Sequence, residues 1–218
     1  MPATILPGLD RLITICRQHS LQLELSPPRS SAPQAGQLVL GEPFDPQLAA
    51  VYQHLGSATF GPFTLHGPGQ DENDLIPWNE WVREEDEIYF HAPLIFGKKT
   101  GFSLYCGTVP RLADSRGLQP VVYISAHGVP QFAIPIASNV DRFFDVYSRY
   151  LERMVVDFEY IETGVSLVNF PWGVADLISH DEPLIAQVRA GHFDFLTNEY
   201  AGARKWLREL LSPPSSSS

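Results

Sequence analysis

Residues 119–154 read QPVVYISAHGVPQFAIPIASNVDRFFDVYSRYLERM, and this stretch decides the fold class. Val121–Ser125 is a β-branched and aromatic run, His127-Gly128 follows as a turn, and residues 131–136 form a second apolar run, so the two runs pair as a hairpin. Ser138-Asn139-Val140-Asp141 then starts a helix. Along it, Val140, Phe143, Phe144, Tyr147, Tyr150, Leu151 and Met154 recur at three- and four-residue spacing, which puts them on one face. A hairpin that feeds an amphipathic helix implies an α+β domain: a central, mostly antiparallel β-sheet with helices packed against it.

Upstream, residues 102–106 and 88–90 have the composition of further strands, and residues 59–66 read as a strand carrying Phe60, Phe63 and Leu65 with a bulge at Gly61-Pro62. Pro43-Phe44-Asp45-Pro46 marks a helix start, with Asp45 as N-cap and Pro46 at the first helical position; the helix runs to Leu55 and stops at Gly56. Leu9, Leu12, Ile13 and Cys16 suit one face of a short N-terminal helix, and residues 26–36 form a Ser/Pro/Gly-rich loop. Downstream come a strand at residues 165–170, a mixed segment at 172–189, and a terminal helix with Tyr200, Ala203, Trp206, Leu207 and Leu210 on one face. The chain therefore divides into an N-terminal helix and linker (1–37), an α+β core (38–154), an extension packed on that core (155–211) and a tail of prolines and serines (212–218) that is expected to be disordered.

A hydrophobic content of 44% over 218 residues supports one sizeable core. The formal net charge of -10 argues against nucleic acid as a partner, because phosphate binding needs a basic face, and it permits a basic protein partner. No apolar run is long enough to span a membrane and residues 1–12 lack the order of a secretory signal, so a cytoplasmic protein is expected. Cys16 and Cys106 have no paired spacing and read as reduced core cysteines.

The residues for catalysis are hard to assemble. Gly67 and Gly69 resemble the start of a phosphate loop, but no third glycine, lysine or helix follows where the ligand needs them. Cys106 and His127 as thiol and base are a pairing that chance supplies in most chains of this length. His180-Asp181-Glu182 with His192 and Asp194 is the best metal candidate, although Asp181 serves equally as a helix cap ahead of Pro183. Consecutive acids such as Glu84 to Glu87 fan out from one another and cannot easily form a catalytic carboxylate pair.

What remains is an acidic segment. Asp71, Glu72, Asp74, Glu80, Glu84, Glu85, Asp86 and Glu87 stand against a single Arg83, with Trp78 and Trp81 among them. It is either an ordinary acidic surface loop whose tryptophans tuck into the core, or a binding face. In the second case the tryptophans act as anchors and the acidic field speeds capture of a cationic partner.

Leu55-Gly56, Gly61-Pro62-Phe63-Thr64-Leu65, Phe96-Gly97, the run from Gln119 to Ile124 and the run from Phe132 to Phe144 together resemble the SUKH superfamily. That group includes yeast cell-wall regulators and many bacterial immunity proteins. The resemblance spans residues 38–152 and rests on a pattern of apolar strands, glycines and a closing helix. It implies an α+β fold and neutralisation of a cognate toxin by direct binding, with no cofactor and no catalytic residues. The expected function is thus a non-catalytic immunity protein whose acidic face, with Trp78 and Trp81, occludes a basic toxin such as a nuclease. The alternatives are a regulatory adaptor or scaffold, and a metal-dependent hydrolase built on the 180–194 cluster.

Overall fold

The computed structural model describes residues 5–84, 93–126, 131–197 and 200–212. The elements are α1 (Pro7–Gln18), β1 (Leu23–Leu25), β2 (Leu38–Val39), β3 (Glu42–Pro43), α2 (Pro46–His54), β4 (Ala58–Phe60), β5 (Phe63–Leu65), α3 (Leu75–Glu84), β6 (Leu94–Lys99), β7 (Leu104–Thr108), β8 (Val121–Ser125), β9 (Phe132–Ala137), α4 (Val140–Val155), α5 (Phe158–Thr163), α6 (Ala175–Ile178), α7 (Glu182–Arg189), α8 (Asp194–Thr197) and α9 (Ala201–Leu211). The molecule is α+β. Seven strands form one antiparallel sheet in the order β1-β4-β5-β6-β7-β8-β9, a meander from β4 onward with β1 added at its edge.

The stretch that decides the fold class forms as its pattern requires. β8 and β9 pair with Ser125 opposite Phe132, and Asn139 caps α4 by accepting from the Arg142 amide at 2.9 Å. The apolar face of α4 lies across the sheet, where Phe143 meets Phe63 at 5.4 Å and Phe96 at 5.5 Å between ring centroids, and Phe144 meets Phe60 at 6.2 Å. Edge-to-face pairs of this kind add to the burial that drives the layer together. Asp45 caps α2, accepting from the Gln47 and Leu48 amides at 2.8 Å each, while its second oxygen takes the Gln119 amide at 2.8 Å and so ties the helix start to the approach to β8.

The first and last described helices both join this core. α1 packs along α4 so closely that a Cβ on Gly8 would collide with the Asp141 carbonyl, and the Asp141 carboxylate accepts from the Gly8 amide at 2.9 Å. At the far side the outer edge of β9 is covered by the C-terminal helices: Trp206 donates its indole N–H to the Pro135 carbonyl at 2.9 Å. Covering an edge strand in this way removes a site of unwanted strand pairing.

Two sequence expectations require correction. Residues 59–66 are not one bulged strand but the hairpin β4–β5, with Phe60 opposite Phe63 and the two-residue turn Gly61-Pro62 between them. Gly61 sits at φ 56°, the left-handed conformation that the first central position of such a turn asks of glycine. Residues 165–170 form no strand. Phe170 instead inserts its ring beside Tyr147 at 5.1 Å and Tyr150 at 5.4 Å, while Val165 and Leu167 are left exposed. The strand expected at residues 88–90 and the turn at His127-Gly128 lie outside the described residues.

Candidate protein-binding face

The approach to α3 is organised by an internal carboxylate. Asp74 is only 6% exposed; it accepts from Arg29 Nη1 at 2.9 Å and from the Asp71 amide at 3.0 Å. A Cβ on Gly67 or on Gly69 would collide with its oxygens, so these two glycines are the space that the Asp74 side chain occupies. Their resemblance to a phosphate loop has this origin: the anion they accommodate is the chain's own.

Next to this turn lies a stack of rings. His66 is buried, with Nδ1 2.7 Å from the Asn73 carbonyl and its own carbonyl accepting from the Tyr52 hydroxyl at 2.7 Å. Burial holds the imidazole neutral, with its pKa lowered to about 4. The Trp78 indole stacks on it at 5.1 Å and 24°, Trp81 leans on Trp78 at 5.2 Å, and Tyr105 closes the side at 5.8 Å. Lys98 Nζ stands 4.0 Å from the Trp78 ring centre, a cation–π contact, and partial burial lowers the pKa of this ammonium. Below, Asn79 is fully buried and acts as a substitute strand, exchanging bonds with the Ile95 amide at 2.8 Å and carbonyl at 2.7 Å.

The outer side of α3 is different. Trp81 is 48% exposed, and Glu80 and Glu84 are exposed beside it, with Asp71 and Glu72 exposed just before the helix. Arg83, the lone basic residue of the segment, turns back and donates to the Leu40 carbonyl at 3.2 Å. Of the residues named from sequence, α3 therefore brings Trp81, Glu80 and Glu84 onto one exposed side. Trp78 is a half-buried support, Asp74 is used internally, and Glu85, Asp86 and Glu87 lie outside the described residues.

The other candidates are placed as follows. Asp181 caps α7 through the Leu184 amide at 3.4 Å and accepts from the Ser138 amide at 2.7 Å, while His180 Nδ1 lies 2.6 Å from the Asp176 carbonyl. Among the described residues no group of three or more His, Cys, Asp or Glu side chains converges to hold a metal ion. Cys16 and Cys106 are free and buried, and burial raises both thiol pKa values, Cys16 to about 11. No helix among the described residues is long and apolar enough to cross a membrane.

Sequence reasoning missed an exposed apolar arm. Val156, Phe158, Ile161, Val165 and Leu167 are all more than half exposed along the segment after α4. Their irregular spacing gives no periodic signal that marks them as surface. Comparison with family models, with curated proteins and with solved structures finds no match, so the likeness to the SUKH superfamily rests on the residue pattern alone.

Proposed function

We propose that this chain is a non-catalytic, immunity-type binding domain that neutralises a basic protein toxin by covering it with the outer side of α3. The observation that carries the reading is Trp81: an indole 48% exposed that leans on Trp78 at 5.2 Å. An exposed tryptophan offers a large contact area with only two rotatable bonds to fix on binding, and tryptophan is frequent among binding hot spots. The acids around it supply a field suited to a cationic partner, in keeping with a net charge of -10. With its neighbours, this side of the domain needs to bury on the order of 800 Å² per partner to hold a stable complex.

The test is affinity capture with the full chain as bait from its native cells, at low and high salt, read by mass spectrometry. The expected result is one basic protein in equimolar amount that is retained at low salt, depleted at high salt, and toxic when expressed without this chain. Several weakly held housekeeping proteins, with no toxin among them, would replace the immunity reading with an adaptor.

A further inference from the structure

On the opposite side of the sheet from α3, the C-terminal end of α4, α5 and the loop at 164–169 enclose a groove of about 920 Å³. Leu21, Phe102, Val155, Ile161, Val165 and Val168 give it an apolar lining on part of its wall, and His19, Ser20, Gln22, Ser166 and Asn169 make the remainder polar. The groove adjoins a small pocket of about 20 Å³, room for one water-sized group, and Pro62, Lys99 and Tyr150 line both. Tyr123, Tyr147 and Phe170 line that inner pocket.

Two independent features point to what belongs there. Tyr123, Tyr147 and Tyr150 are more than nine-tenths buried, yet none of their hydroxyls has a hydrogen-bond partner among the described residues and none is sealed off from solvent space. Three phenol hydroxyls that reach solvent-accessible space and have no protein partner, around one pocket, are donors that an acceptor bound there can engage. Separately, the Lys99 ammonium, partly buried and 4.4 Å from the Phe102 ring, has no carboxylate within 4.0 Å among the described residues. Although the chain carries 25 aspartates and glutamates, none of those described lines the groove or the pocket. A partly buried cation with a ring face beside it and no carboxylate, among neutral donors, favours an anion, and the apolar part of the lining favours a hydrocarbon body.

From this we infer that the groove and pocket are a binding site for an amphiphilic monocarboxylate, with its chain along the apolar part of the wall and its head group between Lys99 and the tyrosine hydroxyls. One cation and neutral donors match a single negative charge better than a phosphate. The exposed side chains Phe102, Ile161 and Val165 on the rim are then the surface that the ligand's chain covers. Lys98 and Lys99 project to opposite faces of β6, so this site is separate from the α3 face and stands or falls without it.

The test is isothermal titration of the full chain with decanoate and, separately, with decanol, which has the same chain and no charge. Decanoate is expected to bind saturably at one site, with decanol about tenfold weaker or worse, as a charge-assisted contact implies. Lys99→Met is expected to abolish that preference with an unchanged melting temperature. Val165→Glu, at an exposed rim position that the ligand's chain covers, is expected to weaken both probes, because the chain would have to desolvate the new carboxylate, and to weaken decanoate more through like-charge repulsion. Absence of saturable binding, equal affinity for the two probes, or an undiminished preference in Lys99→Met each overturns the proposal.

Discussion

Replacing Asp74 by alanine separates the part of the acidic segment that builds the fold from the part available to a partner. The substitution removes two hydrogen bonds accepted by one carboxylate oxygen, from Arg29 Nη1 at 2.9 Å and from the Asp71 amide at 3.0 Å. A hydrogen bond to a charged group contributes about 1.5–3 kcal/mol; the Arg29 side chain is 41% exposed, so its share is discounted for solvent screening to about 1 kcal/mol. Adding the Asp71 amide bond and the packing of the carboxylate against Gly67 and Gly69, the expected cost is about 2–3 kcal/mol, or a melting temperature lowered by roughly 5–10 °C for a domain of this size. Urea denaturation and calorimetry of Asp74→Ala measure it, with Glu72→Ala, an exposed neighbour expected to stay within about 0.5 kcal/mol, as control. If Asp74→Ala proves no more destabilising than Glu72→Ala, the carboxylate does not organise the turn and the account of Gly67 and Gly69 is wrong.

His66 gives a pH signature. Its folded pKa is lowered to about 4 while the unfolded chain has the ordinary 6.5, so between these values the unfolded state binds a proton that the folded state does not. Stability is full above pH 6.5 and falls by about 3 kcal/mol as the pH drops to 4, and denaturation midpoints across that window should show a component that is absent in His66→Gln. Trp206→Ala removes a fully buried indole and its bond to Pro135, and should cost about 3–5 kcal/mol in equilibrium unfolding. A cost below about 1 kcal/mol would mean that α9 contributes little to the core.

What the sequence made legible follows from where its signals are local. The β8–β9–α4 unit could be read because paired strand composition, an Asn139 cap and a heptad-like apolar face all lie within 36 consecutive residues. Asp45 and Pro46 were readable for the same reason. Gly61-Pro62 was ambiguous, since a bulge and a two-residue turn use the same residues and only the pairing of Phe60 with Phe63 distinguishes them. Gly67 and Gly69 gain their meaning from Asp74 and Arg29, and no local pattern shows that one carboxylate fills the space of both. At the candidate face, composition identified the tryptophans and acids, but the division of labour between Trp78 inside and Trp81 outside depends on His66 and Lys98, residues that other elements bring to α3. The tyrosines of the groove were legible as core positions of a helix and a strand. Their unpaired hydroxyls exist only once β7, β8, α4 and the 164–170 loop have met.

The most direct test of the central claim is the dissociation constant of the captured partner for the wild-type chain and for Trp81→Ala, measured by titration calorimetry beside the melting temperature of each. Trp81→Ala is expected to weaken binding about 30-fold or more with the melting temperature nearly unchanged, because Trp81 is half exposed and rests on Trp78 without supporting the core. Undiminished binding by Trp81→Ala, or a loss of binding that tracks a collapse in stability, would contradict it.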